Sequence, residues 1–253
     1  MSVVLPTYNE AENIIALIEA LDHSIAHPKE IIVVDDDSPD GTSQRVAAFI
    51  ASRAVPHVRL ETRTRDRGLT RSIAHGIAVA RGDTVVWMDC DFSHPPEIVP
   101  ELLRKVEEGH DIAVASRYMR GGSYKSGLGW FGADESALAV ALSRMINWGI
   151  RMSLKPGFHD FTSGFIAIRR HVFDRIHLTG DYGEYFIDLM FRAMLLGHSY
   201  AEIPFTSPPR RAGVSKTGTT FRQLFRRGRK YLWTVLRMWK WRIRHWLGRS
   251  IEG

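Results

Sequence analysis

Short runs of branched apolar residues alternate with longer stretches whose apolar residues recur at helical spacing. That alternation constrains the fold more than any other feature. Val3-Val4-Leu5, Ile31-Ile32-Val33-Val34, Val58-Arg59-Leu60-Glu61, Thr84-Val85-Val86-Trp87-Met88 and Ile112-Ala113-Val114-Ala115 read as strands. Ile14, Leu17, Ile18 and Leu21 form the stripe of a helix from Ala11 to about Leu21, and further helices are expected to about Ala54, from the Arg67-Gly68-Leu69-Thr70 opening to near Arg81-Gly82, and from Pro95 to about Glu108. Such an order gives a doubly wound, mostly parallel sheet flanked by helices. Beyond it, residues 134–153 and Phe186 to about Leu196 read as helices, Phe165–Ile168 as a strand, and Tyr200–Ile203 as an edge strand stopped by Pro204.

The fourth run ends abruptly in Asp89-Cys90-Asp91. Ligands of open α/β sheets sit beyond the carboxyl ends of the strands, so both acids belong where a ligand would lie. Two close carboxylates repel unless a cation lies between them, and hard divalent ions such as Mg²⁺ or Mn²⁺ take one or two carboxylates together with substrate phosphates. An Asp-x-Asp pair also arises by chance in a solvated loop, and position alone leaves both readings open. Cys90, the single cysteine, excludes an internal disulfide and reads as a small packing residue between two acids.

Charge divides the chain unequally. Of the net +6, residues 219–253 supply ten Lys/Arg against one acid, which leaves the first 218 residues at −3. This stretch carries Phe221, Leu224, Phe225, Leu232, Val235, Trp239, Ile243 and Trp246 at helical spacing, with most cations on other faces and four of the seven tryptophans. A basic amphipathic helix of this kind suits the plane of an anionic membrane surface. The alternative is a helix packed by its apolar stripe on the preceding domain. Nucleic acid is not expected as a partner, because the remainder is net negative and no nucleic-acid motif is present. No secretory signal is expected at Met1-Ser2-Val3, and no run reaches the about 18–20 apolar residues that span a bilayer.

The loops that follow the strands, taken in order, are Pro6-Thr7-Tyr8-Asn9-Glu10, Asp35-Asp36-Asp37-Ser38-Pro39-Asp40-Gly41-Thr42, Arg67-Gly68-Leu69, Asp89-Cys90-Asp91-Phe92-Ser93-His94-Pro95-Pro96 and Ala115-Ser116-Arg117-Tyr118. Later come Asp160-Phe161-Thr162-Ser163-Gly164-Phe165 and Arg210-Arg211-Ala212-Gly213-Val214-Ser215-Lys216. Over residues 2–218 this series resembles the family 2, GT-A-fold inverting glycosyltransferases, in particular their dolichol-phosphate (polyprenol-phosphate) mannosyltransferase branch.

The resemblance implies a catalytic domain over residues 1–218 and a basic, membrane-associating extension over 219–253. It implies that Pro6, Tyr8, Glu10, Val34 and Asp36 border the nucleotide, that Met88, Asp89 and Asp91 line the diphosphate, and that Asp89 and Asp91 hold Mg²⁺ or Mn²⁺. Asn147 is the nearest match to a third metal ligand. Arg117, Arg210 and Lys216 would surround the acceptor phosphate and the reacting centre, with Ser215 ordering their loop. The implied donor is a nucleotide sugar, GDP-mannose before a UDP-sugar, and the implied acceptor is a polyprenyl phosphate. The implied location is the cytoplasmic face of a membrane, with or without an anchoring partner subunit.

Several residues also have plainer readings. Glu10 suits the first turn of any helix, Arg117 any surface, and His94 a loop before two prolines. Asp160 and Asp188 read as a turn or cap acid and a helix acid. Three departures from the family pattern stand out: Asp37 where glycine is usual, the acidic stretch Trp130–Ser136 where basic residues are usual, and Phe186 where a glutamine is usual. The altered stretch also motivates a different class of reading, a scaffold that binds nucleotide sugar without turnover.

Overall fold

The computed structural model describes residues 1–124, 137–212 and 221–249; for residues 124, 137–142 and 221–228 it describes the backbone alone. The elements are β1 (Ser2–Thr7), α1 (Ile14–Ser24), β2 (Glu30–Asp35), α2 (Thr42–Arg53), β3 (Val58–Thr62), α3 (Leu69–Val79) and β4 (Thr84–Trp87). A short 3-10 turn (Pro96–Ile98) leads into α4 (Val99–Glu107), β5 (Ile112–Ser116), β6 (Ser123–Tyr124) and α5 (Ala137–Leu154). Then come β7 (Ile166–Arg169), α6 (Glu184–Leu195), β8 (Tyr200–Pro204), β9 (Thr206–Ser207) and α7 (Phe221–Trp246).

Seven strands form one sheet in the order β3-β2-β1-β4-β7-β5-β8, while β6 and β9 pair separately. Six strands run parallel; β7 runs antiparallel between β4 and β5, pairing Trp87 with Ile166 and Val114 with Ile166. The apolar composition of Ile166–Ile168 shows that this strand is buried but carries no sign of its direction. Alternate residues of each strand enter opposite layers. Val4, Ile32, Val34, Val85 and Trp87 meet α3, α5, α6 and α7; Val3, Leu5, Ile31, Val33, Val86 and Met88 meet α1, α2 and α4.

Local chemistry moves some expected boundaries. Helix α1 starts at Ile14 rather than Ala11, because Asn9 turns left-handed (φ 58°) and the Ala11 N–H is taken by Asp40. Burial alone would raise the Asp40 carboxyl, but the Thr42 hydroxyl and the Ala11 and Thr42 N–H groups hold it below its usual value. Asp37, in the position where glycine was expected, takes the left-handed conformation all the same (φ 57°), which aspartate tolerates better than most residues.

Helix α7 is not a separate appendage. Met238 and Thr234 are buried against the core layer of α5 and α6, and Arg237 pairs with the buried Asp188 of α6 at 3.2 Å. Arg242 donates to the Ser153 and Leu154 carbonyls at the end of α5. Asp188 therefore holds three things together, since it also accepts from Thr179 at 2.8 Å and pairs with Arg192. No described helix is long and apolar enough to cross a membrane.

Candidate active site

At the carboxyl ends of β1 and β4, where the strand order reverses, lies a cavity of about 480 Å³. Pro6, Tyr8 and Glu10 come to it from the loop after β1, Asp36 from the loop after β2, and Asp89 and Asp91 from the loop after β4. Arg67, Gly68, Leu69 and Ser72 enter from the start of α3, Asp181 and Tyr182 from the turn before α6, and Arg210 from the segment after β9. The wall carries five carboxylates, Glu10, Asp36, Asp89, Asp91 and Asp181, against two guanidiniums, Arg67 and Arg210.

The run Asp35-Asp36-Asp37 divides into three tasks. Asp35 is fully buried and braces the loop, accepting from Thr7 at 2.9 Å, the Ser38 N–H at 3.0 Å and Ser43 at 2.6 Å. Asp36 forms the wall; its two oxygens take Arg63 at 2.9 Å and the Gly68 N–H at 2.6 Å. That second bond requires the backbone of Gly68 at φ 136°, a conformation open to glycine and costly to other residues. Asp37 faces outward and pairs with Arg67.

The Asp89-Cys90-Asp91 turn is just as uneven. Asp89 is exposed on the cavity wall, and its carboxylate has no hydrogen-bond or ion-pair partner among the described residues. Asp91 is buried, pairs with Arg210 at 2.6 Å and accepts from the Ser93 N–H at 2.9 Å. Burial alone would lift the Asp91 carboxyl; Arg210 and Ser93 outweigh it, so this acid stays ionised below its usual range. A left-handed Phe92 (φ 66°) makes the turn, and Arg211 closes over it with its guanidinium 5.2 Å from the Phe92 ring and its N–H on the Asp91 carbonyl. His94 fixes the turn from below. Its Nδ1 accepts the Asp89 N–H at 3.0 Å, and its ring stacks on Phe165 at 4.7 Å. Complete burial lowers its affinity for a proton, so the imidazole is neutral.

These positions fit a divalent cation. Asp89 offers an open carboxylate; Asp91, whose oxygens rest on Arg210 and the Ser93 N–H, would add a second by releasing Arg210, and a positive charge there would let a diphosphate approach this acidic wall. Asn147 takes no part. Its amide donates to the His159 carbonyl at 2.6 Å and accepts the Phe161 N–H at 2.9 Å, so it pins the 158–161 turn.

Pro6, Tyr8, Glu10, Asp36, Asp89, Asp91 and Arg210 are therefore brought together. Val34 and Met88 are instead fully buried in the two core layers, because the strand alternation turns both side chains away from the cavity. Phe186 is likewise a core residue. Arg117 is clamped to the buried Asp160 through Nε (2.9 Å) and Nη2 (3.0 Å) and lies near enough to weigh on His94. Lys216, Ser215 and the stretch 130–136 fall outside the described residues. Asp181 and Tyr182 went unread in the sequence. Only the glycines on either side, Gly180 and Gly183, mark their turn.

The model of Glycosyl transferase family 2 matches residues 2–177. Two curated relatives are similar over most of the chain. A dolichol-phosphate mannosyltransferase from Pyrococcus furiosus is 33% identical over 95% of this chain, which spans 64% of that protein. A polyprenol monophosphomannose synthase from Mycolicibacterium smegmatis is 37% identical over 87% of this chain and 82% of its own length. Among solved structures, glucosyl-3-phosphoglycerate synthase from Mycobacterium tuberculosis in complex with Mn²⁺, UDP and glucosyl-3-phosphoglycerate superposes with a TM-score of 0.67. It is 21% identical, covering 94% of this chain and 78% of that one, a likeness of fold. The seven-stranded architecture with its acid pair at the strand exit is thus the GT-A arrangement, and the chain belongs to glycosyltransferase family 2.

Proposed function

We propose that this chain transfers a mannosyl group from GDP-mannose to a polyprenyl phosphate, with inversion, on the cytoplasmic face of a membrane. The single observation that carries the reading is the Asp89 carboxylate, without a partner among the described residues, next to Asp91 in an acid-lined cavity at the carboxyl ends of β1 and β4. The names of the two curated relatives supply the sugar and the acceptor class.

A bound Mg²⁺ or Mn²⁺ held by Asp89 and Asp91 would supply positive charge to the leaving diphosphate. The protein does the rest. Pro6, Tyr8, Glu10 and Asp36 shape the recess for the nucleoside, and the α3 start at Gly68 and Leu69 continues the wall beside Asp36. Arg210, seated on Asp91 at the cavity wall, is the guanidinium assigned to the acceptor phosphate. With Arg117 and Lys216 it offsets the repulsion between two phosphates; arginine holds such groups bidentately and lysine as a point charge. The acceptor oxygen is anionic near neutrality, so no strong general base is required, and attack from the face opposite the diphosphate inverts the anomeric carbon. Residues 1–218 carry this chemistry, and residues 219–253 seat the domain on an anionic membrane surface.

The test is turnover with a panel of nucleotide sugars, GDP-mannose and UDP-glucose included, and a short polyprenyl phosphate, with Mg²⁺ or Mn²⁺ and with chelator. Mannosyl-lipid formed only from GDP-mannose and only with metal is the expected result. Binding of the nucleotide sugar with no transfer to any acceptor would sink the proposal in favour of a scaffold.

A further inference from the structure

At the end of the sheet opposite the donor cavity, side chains from three separate segments converge. Asp111 immediately precedes β5, His171 sits in the 3-10 turn that follows β7 (Arg170–Asp174), and His198 lies between α6 and β8. The antiparallel course of β7 is what brings His171 there, because that strand finishes where β5 begins. Each of the three residues offers one ligating atom, and these atoms lie within 4.8 Å of one another. Among the described residues no other set of three His, Cys, Asp or Glu side chains does so.

The spacing is close to what a tetrahedral ion needs. Bonds of about 2.0–2.1 Å place neighbouring ligand atoms about 3.3 Å apart. His171 Nε2 stands 3.2 Å from Asp111 Oδ1, and His198 Nδ1 stands 3.7 Å from Oδ2. Closure asks mainly that the two rings draw together from a centroid separation of 5.8 Å. The carboxylate is held from behind, since Ser199 donates to Oδ2 through its N–H at 2.8 Å and its hydroxyl at 2.9 Å. Outer contacts of this kind orient metal ligands. His198 is poorly served by the protein alone. Its Nδ1 is beyond ordinary hydrogen-bond length from Asp111, and its Nε2 is buried with no hydrogen-bond partner among the described residues. A metal bond would give this ring the partner the protein does not supply. His171 is half-exposed, so an ion can enter from solvent and keep a water as its fourth ligand.

We infer that Asp111, His171 and His198 form a second metal site, for Zn²⁺ or a similar late first-row divalent ion, that ties the start of β5 to the turns beside it. Two imidazoles and one carboxylate favour such an ion over Mg²⁺, which prefers oxygen ligands. The site is therefore chemically distinct from the acid pair at Asp89 and Asp91, and it stands whether or not the chain is a transferase. It has only three ligands, and Arg175 lies near enough to weigh on His198. Both features put the dissociation constant on the order of micromolar, weaker than four-ligand structural zinc.

The experiment is titration of the chelator-treated full chain with Co²⁺, read by visible absorption, followed by displacement with Zn²⁺, all in excess Mg²⁺. Wild type and Asp89→Asn are each expected to take up one Co²⁺ with the intense absorption of a four-coordinate ion, and to release it to Zn²⁺. His171→Gln and His198→Gln should each weaken binding about tenfold or more. Zn²⁺ should also raise the melting temperature of wild type and not that of His171→Gln, whose exposed position leaves the metal-free fold intact. Absorption that survives both histidine substitutions, or that disappears in Asp89→Asn, would overturn the site. So would a Zn²⁺ affinity no better than millimolar.

Discussion

At the scale of single residues, the acids after β2 and β4 show how similar letters acquire different work from their surroundings. Asp35 and Asp91 are buried and satisfied, Asp36 is a bonded wall, and Asp89 is open. The sequence marked both carboxylates of the Asp-x-Asp turn, but their inequality depends on Arg210, which lies about 120 residues further on and is brought in by folding. On the proposed mechanism Asp89→Asn should therefore lower kcat by about a hundredfold or more with little change in stability, because this carboxylate has no partner to lose among the described residues. Asp91→Asn should cost activity and also roughly 2 kcal/mol of stability, because it leaves Arg210 half-buried without its counter-charge. Steady-state rates and urea unfolding of both variants check the contrast. Equal destabilisation by the two would contradict it. Val34 and Met88 show the reverse limit. Both fit the family pattern, and yet the two-residue period of a strand directs them into the core.

At the scale of elements, the parallel strands and their covering helices were legible because buried runs and helical stripes are properties of neighbouring residues. The direction of β7 was not, since its pairing with β4 and β5 is decided by the path of the chain between residues 116 and 166. Packing between elements was equally hidden. A side chain added to Gly76 of α3 would put its Cβ 2.3 Å from Val4 on β1. Gly76→Ala should then destabilise by about 1–3 kcal/mol despite alanine's better helix propensity, measured as the denaturant midpoint. Asn147 tests a related point. As a brace between α5 and the 158–161 turn, its replacement by leucine should cost about 2–3 kcal/mol and leave the metal concentration for half-maximal activity unchanged. A shift in that concentration would restore it as a ligand.

At the scale of the whole molecule, pH acts through groups buried without charge. His94 in the folded chain has a proton affinity below its ordinary value of 6.5, so the unfolded chain takes up the proton first as pH falls. Stability is expected to decline as pH drops below about 6.5, with His198 contributing in the same direction. Asp91 adds a further loss only below its ordinary value of 3.8, when the acid paired with Arg210 is finally protonated. Urea midpoints between pH 7 and 5 should fall less steeply in His94→Gln than in wild type. Parallel slopes would show that this imidazole is not the group responsible.

Lys230 grips Asp181 from outside the cavity while its own helix turns tryptophans outward. That pair links the helix to one residue of the cavity rim. If the proposed membrane seating and nucleotide binding are coupled through this pair, reciprocity requires that vesicles change GDP affinity by the same factor by which GDP changes adhesion to vesicles. Calorimetric titrations run both ways should agree, and Lys230→Met should cut the two effects together. An enzyme so built would hold its activated sugar best only where an acceptor is within reach.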